Sequence, residues 1–150
     1  VKILDTRKTL PGLRILEKYA VRIGGGYNHR MKLDEMVMIK DNHLKALGGL
    51  RRLPRVPKGY LSEIETKNLQ EFKQALKLKP DIIMLDNMQS GQIKRAVMLR
   101  KGIKPKIEVS GNVNLNNVRE IAKAGPDMIS VGALTHSVKA IDISLEIMWP

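Results

Sequence analysis

Four cations in the first 40 residues sit where no amphipathic pattern asks for them. Arg7 and Lys8 follow the apolar run Val1 to Leu4, Arg30 follows His29 shortly after three glycines, and Lys40 closes Met36-Val37-Met38-Ile39. Cations anchored at the ends of buried strands keep their geometry, and together they offer forked hydrogen bonds and point charge to carboxylates or phosphates. Glu65 and Asp86 are the acids of the same pattern, each at the end of an apolar run. They could bind Mg²⁺, hydrogen-bond a ribose, stabilise a developing positive charge, or only neutralise nearby Lys and Arg. Ser110-Gly111 and Gly132-Ala133 are small residues at run ends. Backbone N–H groups there, facing helix starts, suit a phosphate. Gly24-Gly25-Gly26 follows a helix-like segment, so a dinucleotide loop is rejected, and neither a P-loop nor a His-Glu-x-x-His zinc motif occurs. The three histidines, at 29, 43 and 136, lack metal-ligand spacing.

These residues need a frame, and the chain supplies alternating segments. Strands are predicted at Val1 to Leu4, Met36 to Ile39, Tyr60 to Glu65, Asp81 to Leu85, Lys106 to Val109 and Met128 to Val131. Helices are predicted from Pro11 to Ile23, with Leu13, Leu16 and Ala20 at helical spacing, and from the cap Asn68 to Leu78. Two more are expected over Gly91 to Arg100 and Asn114 to Ala124. Residues 44–58, rich in Gly, Pro and basic residues, read as a mobile surface loop with a helical turn at its start. Short connections between such units imply parallel strands with right-handed crossovers. The fold class is α/β, and a period of roughly 22–25 residues favours a (β/α) barrel of TIM type over a solenoid. In a parallel barrel the strand C-termini share the face that carries the active site. Thr6-Arg7-Lys8, Lys40, Glu65, Asp86, Ser110-Gly111 and Gly132 would then converge on one pocket.

Composition sets the outer limits. The chain has 150 residues, enough for one domain, and 43% are hydrophobic, so a packed core is expected. No apolar run approaches the ~20 residues of a membrane helix. With no cysteine, disulfides and thiolate metal sites are excluded. A net charge of +12 admits an anionic partner. Aromatics at 3% are too few for base-stacking platforms, which argues against nucleic acid. The chain starts without Met inside a strand-like run, which reads as a fragment of a longer protein.

Read in order, the strand-end segments form longer motifs. They are Asp5-Thr6-Arg7-Lys8-Thr9, Pro11-Gly12-x-Arg14, Gly24-Gly25-Gly26-x-Asn28-His29-Arg30 and Ile39-Lys40-Asp41-Asn42-His43. Further on come Glu63-Ile64-Glu65, Ile83-Met84-Leu85-Asp86-Asn87, Glu108-x-Ser110-Gly111 and Ser130-Val131-Gly132-Ala133-Leu134-Thr135-His136. This series resembles the quinolinate phosphoribosyltransferase family, also called nicotinate-nucleotide pyrophosphorylase (carboxylating), along the whole chain. Two departures stand out: Asn112, where the family usually has a second Gly, and Tyr60-Leu61-Ser62, where a Lys or Arg is common.

The resemblance implies most of an irregular, partly open barrel domain, normally preceded by an α/β sandwich that is not in this chain. It implies a cytoplasmic homodimer in which a basic residue from the partner's N-terminal domain completes the quinolinate pocket. Arg7, His29, Arg30 and Lys40 would bind the quinolinate carboxylates, with Thr6 beside them, and Lys8 would act catalytically near phosphoribosyl pyrophosphate. Glu65 and Asp86 would be catalytic and hold Mg²⁺, directly or through water. Ser110, Gly111, Gly132 and His136 would hold the 5′-phosphate region. No nucleic acid or membrane partner is expected, and the fragment alone should be inactive. The rivals are a related phosphoribosyltransferase for another aromatic acid and a non-catalytic basic module that binds polyanions.

Overall fold

The computed structural model describes residues 1–50, 55–137, 139 and 141–149. Six strands form one parallel sheet: β1 (Lys2–Leu4), β2 (Met36–Ile39), β3 (Leu61–Thr66), β4 (Ile82–Asp86), β5 (Lys106–Ser110) and β6 (Met128–Ser130). Their order across the sheet is β1-β6-β5-β4-β3-β2, so the first two strands form the two edges and the barrel stays open between them. Tyr27 is the sole residue bridged to β1 on its free side among the described residues, through bonds to Ile3 O and from Asp5 N.

Strict alternation along the strands divides the sheet chemically, because successive side chains point to opposite faces. Ile64, Ile83, Leu85, Ile107, Val109 and Ile129 are buried toward the helices, where Phe72, Ala75, Ile93, Ala96 and Ile121 meet them. The other face is polar at its heart: Glu63, Glu65, Glu108 and Ser130 are all buried there. The helices are α1 (Arg14–Ile23), α2 (Asp41–Leu47), α3 (Leu69–Leu78), α4 (Ser90–Arg100) and α5 (Val118–Lys123). Asn68 caps α3 by accepting the Glu71 N–H at 2.9 Å.

Two helical expectations need correction. The helix expected from Pro11 starts at Arg14, because Gly12 has φ +78°, outside helical space. Its apolar stripe does not enter the core. Leu13 and Leu16 are exposed with Ile15, Tyr19 and Ile23, and the buried side chain of α1 is Lys18. The helix expected over Asn114 to Ala124 spans only Val118–Lys123. Asn114 and Asn117 side chains accept the N–H groups of Asn116 and Asn114, giving the backbone a local turn instead. The helical turn expected at the start of the 44–58 loop is present as the end of α2, which runs from Asp41 to Leu47. Residues 51–54 of that loop lie outside the described residues.

Candidate active site

The C-terminal ends of the strands border one cavity of about 820 Å³. All twelve side chains and glycines singled out from the sequence reach it: Thr6, Arg7 and Lys8 after β1, His29 and Arg30 from the loop ahead of β2, and Lys40 after β2. Glu65 on β3, Asp86 on β4, and Ser110, Gly111, Gly132 and His136 line it as well. Met38 and Met84 supply apolar wall. Convergence follows from parallel pairing: Glu65 is in register with Met84, and Asp86 with Ser110, so equal positions along neighbouring strands project to one side.

The cationic side is built by local bonds. Arg14 donates to Arg7 O at 3.2 Å and to Thr9 Oγ1 at 3.0 Å, and the Lys8 N–H donates to Thr6 Oγ1 at 3.0 Å. From the far end of the chain, Thr135 Oγ1 donates to Lys8 O at 2.8 Å. Arg30 donates through Nη1 to Met36 O at 2.8 Å and to Leu33 O at 3.2 Å, which aims its plane along the cavity wall. Burial, then the charge of Arg7, lowers its proton affinity. Lys40 Nζ stands 3.3 Å from Glu65 Oε2, linking the cations to the acids. Among the described residues Asp86 makes no ion pair and stays half-buried at the cavity.

The glycine-rich side is tight. A Cβ on Gly111, at φ +95°, would collide with the Asn87 amide, and one on Gly132 would run into the His136 ring. Asn112, the departure from the family pattern, holds φ +50°, which Asn tolerates better than most residues. Its Nδ2 donates to Asn87 Oδ1 at 2.9 Å, tying the ends of β4 and β5 together. The second departure is remote: Ser62 starts β3 at the opposite end, where its N–H and hydroxyl donate to Asp81 at 2.9 and 3.0 Å.

The lining residues His29 and Glu108 also belong, with Glu63, to a charged cluster whose grouping the sequence did not show. His29 Nε2 is 3.2 Å from Glu63 Oε2 and 3.4 Å from Glu108 Oε2, and both glutamates have no exposed side-chain surface. Period-two alternation through Glu63-Ile64-Glu65 and Glu108-Val109-Ser110 was the available signal, since it puts these acids on the cavity face. A second buried group holds the same loop: Asp5 pairs with Lys18 and accepts the His29 N–H at 2.8 Å and Asn28 Nδ2 at 2.5 Å. Lys18 also donates to His29 O at 3.0 Å.

Burial, then the Glu108 charge, pushes Glu63 up to about 7. For His29, burial is the largest influence and lowers its affinity for protons, yet the nearby carboxylates of Glu108 and Glu63 outweigh it and take the ring up to about 10. Nδ1 accepts the Arg30 N–H at 2.8 Å, while Nε2, both oxygens of Glu63 and Oε2 of Glu108 are buried without a hydrogen-bond partner among the described residues. The three ligand atoms lie within 4.8 Å of one another, as a metal set would. A metal on Nε2 would need the proton on Nδ1, where it would face an N–H, so the trio does not fit one. Glu65 and Asp86 do fit a hard cation: they are oxygen donors on adjacent strands beside open cavity that leaves room for water or phosphate oxygens.

Residues 1–146 match the model of the quinolinate phosphoribosyl transferase C-terminal domain. The chain is 46% identical over 159 residues to a probable nicotinate-nucleotide pyrophosphorylase (carboxylating) of Methanocaldococcus jannaschii, covering 99% of this chain and 56% of the relative. It is 47% identical over 168 residues to the chloroplastic nicotinate-nucleotide pyrophosphorylase (carboxylating) of Arabidopsis thaliana, covering 97% of this chain and 48% of that protein. The solved nicotinate-nucleotide pyrophosphorylase of Francisella tularensis superposes with a TM-score of 0.89 at 47% identity, over 96% of this chain and 52% of that one. The chain therefore spans about half the length of the relatives it matches. A thiamine phosphate pyrophosphorylase from Pyrococcus furiosus shares the fold, with a TM-score of 0.60 at 13% identity. By its motifs, its open parallel sheet and these matches, the chain belongs to the quinolinate phosphoribosyltransferase C-terminal domain family.

Proposed function

We propose that the complete polypeptide containing this chain transfers phosphoribosyl from phosphoribosyl pyrophosphate to quinolinate, giving nicotinate mononucleotide, pyrophosphate and CO₂. The observation that carries the reading is that one cavity is lined by the cations Arg7, Arg30 and Lys40, the acids Glu65 and Asp86, and the Gly111 and Gly132 strand ends. A dicarboxylate, a cationic sugar and a 5′-phosphate each meet a matching surface.

In this reading Arg7 and Arg30 fork onto the carboxylates of quinolinate and Lys40 adds point charge. The phosphate settles on backbone N–H groups near Gly111 and Gly132, with His136 and Ser110 beside it. The ring nitrogen gives its lone pair to C1′ as the C1′–oxygen bond breaks and pyrophosphate leaves with that electron pair. Glu65 and Asp86 oppose the positive charge that gathers on the sugar, and Lys8 opposes the negative charge on the leaving group. The C2–carboxylate bond then breaks, its electron pair stays on C2 beside the stabilising positive charge of the ring nitrogen as CO₂ departs, and C2 uses that pair to take a proton from water. Glu65 and Asp86 are the residues that would hold Mg²⁺, which when bound supplies charge neutralisation to pyrophosphate.

The same reading places an N-terminal domain ahead of this one and joins two cytoplasmic copies as a homodimer, with a basic residue of the partner completing the pocket. The exposed apolar face of α1 offers such a contact a surface. Titration calorimetry of the complete polypeptide with quinolinate, alongside an assay for nicotinate mononucleotide, tests the reading. Binding of quinolinate and formation of the mononucleotide are expected. Binding of a different aromatic acid, with quinolinate excluded, would move the assignment to a related transferase.

A further inference from the structure

We propose that Asp5 and Lys18 are positioning residues that hold the His29–Arg30 segment in its binding geometry before a substrate arrives. The substrate named in the test rests on the quinolinate reading above; the hydrogen-bond pattern does not. The pair lies outside the cavity lining, and neither side chain has exposed surface. Among the described residues, every side-chain hydrogen bond the pair makes beyond itself goes to Asn28 or His29. Asp5 Oδ1 accepts the His29 N–H at 2.8 Å, Asp5 Oδ2 accepts Asn28 Nδ2 at 2.5 Å, and Lys18 Nζ donates to His29 O at 3.0 Å. Asn28 Nδ2 also donates to Lys18 O at 2.8 Å. Just before them, the Tyr27 N–H donates to Ile3 O at 2.9 Å, and Tyr27 O accepts the Asp5 N–H at 3.1 Å. The Arg30 N–H donates to His29 Nδ1 at 2.8 Å. The backbone N–H groups of Tyr27, His29 and Arg30 are all committed.

Stability alone does not call for such a pair. Two buried charges lose their water, and apolar side chains of similar volume in the same place are often as stable or more so. The pair adds direction instead: a carboxylate oxygen meets the N–H of His29 and an ammonium meets its carbonyl, so both backbone groups of that residue are fixed. His29 and Arg30 both line the cavity, and Arg30 Nη1 is held at Met36 O. A segment ordered in advance spares the ligand the work of ordering it. The neighbouring cations rest on other bonds: Arg14 donates to Arg7 O, and Thr135 donates to Lys8 O. The clamp therefore serves the His29–Arg30 part of the cavity and leaves Lys8 to separate supports.

Two measurements on the complete polypeptide test this. Hydrogen exchange of the unmodified protein reads the clamp without substrate: the His29 amide should already be protected, and quinolinate should slow it little further. An amide that exchanges freely until quinolinate is added overturns the proposal. In steady-state kinetics, Lys18→Met keeps the length of the side chain but removes the donor and its charge. It should raise the quinolinate KM about 10-fold, the size of one lost hydrogen bond to a charged group. The KM for phosphoribosyl pyrophosphate and kcat should stay within about 2-fold, as expected when only ground-state positioning is lost. Lower stability with neither KM moved, or with both moved together, marks a pair that serves stability alone and overturns the proposal, as does a fall in kcat alone. Where Lys18→Met does not fold, the double variant Asp5→Asn, Lys18→Met removes the unpaired buried charge and should show the same selective rise. Where neither folds, the exchange measurement decides. If the unmodified protein binds no quinolinate, the functional reading falls and this role falls with it. That outcome is distinct from a quinolinate enzyme indifferent to Lys18→Met, which overturns the positioning role alone.

Discussion

The two ends of one parallel sheet carry the same residue types and put them to opposite use. At the N-terminal ends of the strands each acid is answered by its own chain. Asp127 accepts from Arg100, from Lys106 Nζ at 3.3 Å and from the Ile107 N–H at 2.8 Å. Asp81 accepts the Ser62 N–H and hydroxyl. At the C-terminal ends Asp86 has no such partner among the described residues, and Arg7, Lys8 and Lys40 face an open cavity. A closed set of charges is consumed in holding strands and helices together. An open set keeps its capacity for a ligand. This is the division expected of barrel folds, in which one rim serves stability and the other chemistry.

Breaking one acid at each end is the sharpest test of that contrast. In the complete polypeptide, Asp86→Asn should lower kcat by about 100-fold, the scale of losing one preorganised electrostatic contact to a transition state. Quinolinate affinity should stay near normal, because the charge matters most once the sugar is cationic. Steady-state rates beside calorimetry read both. Next in size, Arg30→Lys keeps the charge but loses the fork and should weaken quinolinate binding by roughly 1.5–3 kcal/mol. Binding of phosphoribosyl pyrophosphate should change little in the same titrations.

The matching change at the other end, Asp127→Asn, should leave kcat within about 2-fold and cost about 2 kcal/mol of stability in urea unfolding. A large loss of turnover with unchanged stability would erase the distinction between the ends. The smallest effect is in pH dependence, where the two ends should differ in sign. Burial opposes it, but the Ile107 N–H, Arg100 and Lys106 hold Asp127 below its ordinary 3.8. Its contribution is present above 3.8 and is lost as pH falls through the depressed folded value. Glu63, raised from 4.5 to about 7 by burial and Glu108, works the other way. Its contribution is full below 4.5 and is lost as pH rises through about 7. Unfolding midpoints across pH should therefore flatten near neutrality in Glu63→Gln and at acid pH in Asp127→Asn.

The isolated chain offers a last comparison, between covered and uncovered surface. Ile15, Leu16, Tyr19 and Ile23 expose an apolar face on α1, so the 150-residue chain alone should self-associate in light scattering and show little or no turnover. Robust activity from a monodisperse sample would show that nothing further is needed to complete the site.

The amino-acid sequence by itself determined the strands and their order of chemistry. Short apolar runs ending in Arg, Lys, Glu, Asp or Gly are local signals, and parallel crossovers then carry every run end to one rim. That is why Arg7 and Gly132, far apart in the chain, could be read as neighbours. Tertiary structure alone decided what was buried. Lys18 looks like a surface residue of an amphipathic helix, yet it has no exposed area because Asp5 and His29 O wait for it across the loop. Glu63 and Glu108 lie on strands separated by β4, and only His29, arriving from a third segment, makes one cluster of them. Burial of charge depends on partners brought together from distant segments, and no local pattern records that meeting. The same holds for the face of α1: its apolar stripe is written in the sequence, but which neighbour covers it is a property of packing.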